Sequence, residues 1–280
     1  MIMENNNNNY RDFEQLGGNA NIEQQVSQMQ NDSRFALQQN MNGYNGYANS
    51  GFTGGIQGAM SEASEALQQK VVSQSFIFML AALVITAIGA KVASDVLLEW
   101  MIRNPANLII LFVAEIGIVL ISNVALKKNN VVLSAALMTA YSFINGATLG
   151  IVCMAYVETS VTTVFVITAA MFGVTAFFGL VTKKDLSSMG GILLMGLIGL
   201  IIAGLVNMFL HSEAIAYAAS FIGVVVFVGL TAYDTQKIKA ASAYADDSNT
   251  TVLALNGAFQ LYLDFINLFL YLLRLFGKRR

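Results

Sequence analysis

The chain is 280 residues long, 56% hydrophobic and only 11% charged, with a formal net charge of −2. Soluble domains carry about 25% charged residues, so a soluble enzyme is excluded, because it could not hide so much apolar surface. Residues 1–69 hold seven acids and two arginines and residues 70–280 hold thirteen basic and ten acidic side chains, with no basic run interleaved with aromatics of the kind that binds nucleic acid.

Residues 1–60 are rich in Asn, Gln, Gly and Ser, with unbroken asparagine from Asn5 to Asn9. They lack the apolar periodicity that buries a core and read as disordered. No basic stretch, apolar run and small-residue cleavage site follow one another, so this is not a signal peptide. Tyr44 and Tyr47 offer a weak association element, with a solvated tail as the plainer reading. Met60 to Gln69 has helical composition and leads into the first apolar segment. The expected organisation is a cytoplasmic tail over 1–69 and a transmembrane domain over 70–280.

Seven apolar segments follow, at about 71–92, 107–126, 131–153, 161–181, 189–210, 213–233 and 251–273. Each is long enough to cross about 30 Å of hydrocarbon as a helix. Pro105, the only proline, falls in the first loop. Gly146 and Gly150 in GATLG form a small-xxx-small pair that lets helix backbones approach closely. Cys153 stands alone in an apolar span, which excludes an internal disulfide and reads as packing. The scattered methionines also read as packing, and His211 as a solvated loop residue.

Lys70, Lys127, Lys128, Lys183, Lys184, Lys237 and Lys239 flank alternate ends of the segments, and the intervening loops carry Asp95, Glu99, Glu158 and Glu213. This alternation places the N-terminus and the even-to-odd loops in the cytoplasm. The C-terminal GKRR conflicts with it, because seven crossings put those cations outside; seven true spans are preferred to a re-entrant last segment.

Three carboxylates fall within or at the edge of these segments: Glu115 in the second, Asp234 at the cytoplasmic end of the sixth and Asp264 in the seventh. On the seventh, Asn256, Gln260, Asp264, Asn267, Tyr271 and Arg274 follow at steps of three or four and share one helical face. A charge at mid-bilayer costs at least about 2.5–3.5 kcal/mol, so this helix is expected inside a bundle with the other spans around it. Spans six and seven are joined by a short loop and lie antiparallel, which lets Asp234 and Asp264 approach. Two such carboxyls share a proton and titrate as a pair, and with water and carbonyls they offer the oxygen ligands that calcium prefers. The bland alternatives are an interfacial Asp234 beside Lys237, a structural Asp264, and a Glu115 that pairs with an amide or a base.

AYDTQKIK at the end of the sixth segment, LYLDFINLFLYLLRLFG in the seventh and KKDLS after the fourth resemble the Bax inhibitor family of multi-pass membrane proteins. The likeness covers roughly residues 70–280. It implies an all-α bundle of six helices around a central seventh, acting as a pH-sensitive calcium leak without a cofactor. It also implies a hydrogen-bonded gating pair matching Asp234 and Asp264, and a second-helix glutamate matching Glu115. Glu115, Gln260 and Asn267 are then the candidate ion path. Bacterial members carry an arginine latch near the end of the second helix. Here that position falls near Leu126, so Lys127 and Lys128 are the candidate latch, supplying charge without the planar fork of arginine. Partners implied are the lipid bilayer, calcium ions and protons, in the inner membrane if the source is bacterial. Two other readings remain open. An intramembrane aspartyl protease also needs paired aspartates, but Asp264 stands in YLDF and not in a glycine-flanked loop. A non-transporting regulator would bind other membrane proteins through the acidic tail.

Overall fold

The computed structural model describes residues 50–97, 99, 104, 106–127, 129–246 and 248–280, together with residue 28. The expectations about the asparagine run, Tyr44, Tyr47 and Pro105 lie outside the described residues. Of the two units into which the chain divides, Met1–Ser61 and Glu62–Arg280, the second holds the apolar helices.

The helices are α1 (Ser50–Val92), which runs into a π-helical turn (Ala93–Leu97), then α2 (Ala106–Lys127), α3 (Val131–Met154), α4 (Glu158–Val181), α5 (Met189–Leu210), α6 (Glu213–Ser242) and α7 (Thr250–Phe276). Among the described residues the architecture is all-helical, apart from one antiparallel bridge between Tyr156 and Arg279. Six of these helices are long and apolar enough to cross a membrane, and α2 adds the shorter apolar stretch Val113–Ser122.

The helix boundaries have local causes. Asn130 caps α3 by accepting from the Leu133 N–H at 2.9 Å, and Ser212 caps α6 by accepting from that of Ile215. Glu158 and Glu213 occupy the first turns of α4 and α6, where the helix dipole favours an acid. His211 closes α5 in a left-handed conformation (φ 50°), exposed at the surface. The sixth helix does not stop near residue 233 as expected but continues to Ser242. The segment TQKIKAAS is rich in helix formers and keeps bonding the main chain, so Asp234 stands inside the helix and not at its end.

The outer surface is apolar. Val132, Phe209, Met195 and Val174 are each more than 70% exposed, and on α5 only Leu193 and Leu200 are buried. Such a surface suits hydrocarbon. The most enclosed helix is α7, whose Leu261, Tyr262 and Leu268 are wholly buried; it packs on α6, α4, α3 and α2. Phe265 sits edge-on to Phe165 and Phe172 of α4, and Phe259 edge-on to Tyr141 of α3.

The small-residue pair does what its spacing suggests. A Cβ on Gly146 would collide with the carbonyl oxygen of Thr86, and one on Gly150 would come within 2.9 Å of that of Ala90, so α1 and α3 pack backbone to backbone. Gly179 meets the main chain of Ala232 in the same way between α4 and α6.

The loops sort into two ends. Asn129, before α3, donates to the carbonyl of Ser248, before α7. Gln236 of α6 accepts from the Leu186 N–H at 2.8 Å and donates to the Lys184 carbonyl at 2.9 Å, fixing the α4–α5 loop at that end. At the other end the C-terminal residues pair with the α3–α4 turn: the Val157 N–H donates to the Lys278 carbonyl and the Arg280 N–H to that of Ala155. An unbroken α7 leads to this pairing, with no reversal of a re-entrant kind.

Candidate functional site

Two polar systems lie in the apolar interior, and α7 carries part of each. The first is at the α6–α7 contact. Asp264 is 4% exposed, and its Oδ2 has no hydrogen-bond partner. A buried carboxylate oxygen with no donor is costly and calls for a proton, a water or a cation. Asp234 stands on α6, the helix against which α7 packs. Among the described residues no hydrogen bond joins the two carboxyls directly. Lys237, one turn beyond Asp234, points its ammonium at both helices: Nζ is 3.9 Å from Asp234 Oδ1 and donates at 3.0 Å to Gln260 Oε1 on α7. Gln260 in turn donates to Asn256 Oδ1 at 2.9 Å.

The second system surrounds Glu115, which is buried on α2. Its Oε1 accepts from the Thr148 hydroxyl at 2.8 Å and its Oε2 from the Asn145 amide at 3.5 Å, both on α3. Asn145 Oδ1 accepts from the Tyr262 hydroxyl of α7 at 3.1 Å. That hydroxyl lies 2.7 Å from Thr86 Oγ1 on α1. One chain of polar contacts therefore runs through α2, α3, α7 and α1. Beside it is a cavity of about 290 Å³ between α2, α3 and α7, lined by Glu115, Tyr141, Asn145, Thr148 and Asn267 among others.

The sequence-predicted residues thus separate into two groups. Glu115 and Asn267 share the cavity; Asp234 and Gln260 meet at Lys237, and Asp264 lies one turn along α7 from Gln260. The polar stripe of α7 is real, but it is the more open side of the helix. Asn256, Gln260, Asn267 and Tyr271 are half-buried and Arg274 is exposed, whereas Asp264, at the edge of the stripe, is buried. Of the candidate latch, Lys127 is the last residue of α2 and Lys128 lies outside the described residues. Among the described residues no three His, Cys, Asp or Glu side chains come together as a metal site.

Sequence reasoning missed Tyr262, Asn145, Thr148 and Thr86, because single hydroxyls and amides in apolar spans carry no pattern of their own. It assigned Lys237 only a passive part, although its spacing of three from Asp234 already placed it on the same face.

Comparison with known proteins shows the family. Residues 68–280 match the family described as "Inhibitor of apoptosis-promoting Bax1". The chain is 42% identical over 217 residues to the inner membrane protein YbhL of Escherichia coli K12, covering 76% of this chain and 93% of that one. It is 37% identical over 218 residues to an uncharacterized protein of Borreliella burgdorferi, covering 76% and 94%. It is 36% identical over 170 residues to an uncharacterized membrane protein of Streptococcus pyogenes serotype M1, covering 59% and 72%. Two of the three motifs that suggested a family, KKDLS and AYDTQKIK, touch each other here through Gln236. With its apolar helices and an inner membrane relative, this chain belongs to the Bax inhibitor-1-like family of multi-pass integral membrane proteins.

Proposed function

We propose that this protein is a pH-sensitive calcium leak, gated by the carboxyl pair of Asp234 and Asp264 and built as six spans around a central seventh. In this reading α2 crosses with the others, residues 1–69 form a cytoplasmic tail, and the C-terminal cations lie on the opposite side. The observation that carries the proposal is the unpartnered, buried Oδ2 of Asp264 on the helix that packs against the one bearing Asp234.

When the pair holds one proton, the two helices stay together. When that proton leaves, two like charges face each other away from water. Brought to about 4 Å at an effective dielectric of about 20, two such charges repel by about 4 kcal/mol, close to three tenfold steps in an open–closed equilibrium. The α6–α7 contact loosens and the cytoplasmic side opens. Lys237, held by Gln260, moderates the repulsion and ties the pair to the helix that must move. Glu115 and Asn267 give the path a polar cavity in which an ion exchanges part of its water for oxygen ligands. Two carboxylates supply few of the six to eight oxygens that calcium takes, which suits a passing ion better than a resident one. The reading is of a conduit and not of an enzyme, because Asp264 stands in an unbroken helix between Leu263 and Phe265, where a substrate backbone has no approach.

The test is calcium flux into liposomes carrying the full chain, between pH 6 and pH 8. Wild type is expected to change its flux across that interval and Asp264→Asn to be insensitive to it. Equal profiles for the two would remove the mechanism.

A further inference from the structure

Away from both polar systems, a groove of about 340 Å³ opens between α1 and α4. Its walls are Phe76, Met79 and Leu83 of α1 and Phe165 and Phe172 of α4, with Phe265 of α7 at its base. Its rims belong to the lipid-facing surface: Leu80 is 56% exposed and Phe177 65%. Along α4 it runs from Phe165 to Leu180, about 22 Å of helix at 1.5 Å per residue, deeper than one leaflet of a 30 Å core.

The groove does not end in hydrocarbon. Leu180 also lines a second cavity, of about 380 Å³, whose walls include Gln68, Gln69 and Ser73 of α1 and Lys239 and Ser242 of α6. Lys239 is anchored at the junction, donating from Nζ to the Leu180 carbonyl at 2.7 Å. An ammonium has three donors, so two remain, and among the described residues no carboxylate forms an ion pair with it. Glu65, the one acid on this cavity, stands about 12 Å further out along α1 than Ser73.

We propose that these two cavities, which meet at Leu180, together bind one membrane glycerophospholipid, with its phosphate on Lys239 and one acyl chain along α4. The occupant follows from the order of the chemistry. An apolar trough open to hydrocarbon fills with a chain, and a free cation with amide and hydroxyl groups at its polar end suits the phosphodiester that such a chain carries. A free phosphate ion would leave the aromatic trough unused, and a hydrocarbon without a phosphate would leave the lysine unused. The site is independent of ion conduction.

The test is native mass spectrometry of the full chain, delipidated in detergent and titrated with dioleoylphosphatidylglycerol or with dioleoylglycerol, which has the same chains and no phosphate. Wild type is expected to take up one phospholipid and to hold it about tenfold more tightly than the diacylglycerol. Lys239→Ala should remove that preference, and Lys239→Arg should retain it. Gly173→Leu fills the trough from a position where an added Cβ meets nothing within 4 Å, so it should fold normally and lose the phospholipid. The proposal is overturned if either Lys239→Ala or Gly173→Leu binds the phospholipid as wild type does, or if the diacylglycerol binds wild type equally well.

Discussion

Gly146→Ala tests the packing on which the Glu115 system rests. The added methyl would enter the main chain of Thr86, against its carbonyl oxygen and with its Cα and carbonyl carbon 2.9 Å away. Backbone cannot rotate aside as a side chain does, so α1 and α3 must part by a fraction of an ångström. Overpacking of this kind costs about 1–3 kcal/mol. The same shift stretches the bond from Thr86 to the Ser142 carbonyl, now 3.1 Å, and the contact with Tyr262, now 2.7 Å, for roughly 1 kcal/mol more. Alanine returns about 1 kcal/mol in helix propensity. The net loss is about 2 kcal/mol, which for a chain of this size lowers the melting temperature by about 4–8 °C. The control is Gly199→Ala on α5, where a Cβ meets nothing within 4 Å. It gains the propensity and has no clash, so it should melt at or slightly above wild type. Cys153, the only cysteine and half-buried on α3, gives the readout through a thiol-reactive dye on heating in detergent. The reasoning fails if both alanine variants melt together.

Two further changes probe the ends of the α6–α7 hairpin. Lys237→Met removes the cation between Asp234 and Gln260; under the proposed gate an ionised pair is then harder to form, and the pH at which calcium flux rises should move upward, while an unmoved profile would exclude Lys237 from the gate. Asp246 lies in the loop before α7, where the Ser248 hydroxyl, followed by the Asn249 and Ser248 N–H groups, holds its carboxyl below the usual carboxylate range. A lowered folded value means stabilisation that is present above the unfolded value of about 3.9 and lost as pH falls through the folded one, so Asp246→Asn should melt below wild type at neutral pH, with the gap closing under acid; a gap unchanged by pH would contradict the assignment.

The spans were legible because hydropathy over twenty residues is a strong signal in an environment that rewards only helices. Observed helices begin and end within a few residues of the expected segments, except at the start of α1, which begins at Ser50 and not near residue 71, and at α6. There the apolar pattern stops near residue 233 but the helix does not, because TQKIKAAS leaves the hydrocarbon while still favouring helix. Periodicity placed Asn256, Gln260 and Asn267 on one side of α7, but not whether that side is open or closed. Openness depends on how far neighbouring helices stand off, and that depends on glycines such as Gly146 and Gly179 and the backbone each one meets. Glu115 could be singled out as a lone acid between apolar residues, whereas its partners could not: Asn145 and Thr148 matter because α2 packs on α3 at one rotation and not another. Lys237 was visible as a neighbour of Asp234, but its bond to Gln260 joins two helices and needed the tertiary contact.

The two polar systems are linked through the geometry of α7 itself. Tyr262 and Asp264 are two residues apart, which on a helix of 3.6 residues per turn sets them about 200° apart around the axis. Tyr262 holds Asn145 and Thr86 on one side of α7, while the same helix packs against α6. A rigid helix cannot withdraw from α6 without changing the Tyr262 hydroxyl's position against α3 and α1, and through Asn145 the support of Glu115. Under the proposed gate, movement that relieves repulsion at the carboxyl pair breaks or remakes buried hydrogen bonds at about 1–3 kcal/mol each where a partner is left unsatisfied. In such a gate that cost is of similar size to the roughly 4 kcal/mol by which two unit charges about 4 Å apart repel at an effective dielectric of about 20, which is the condition for two states of comparable population.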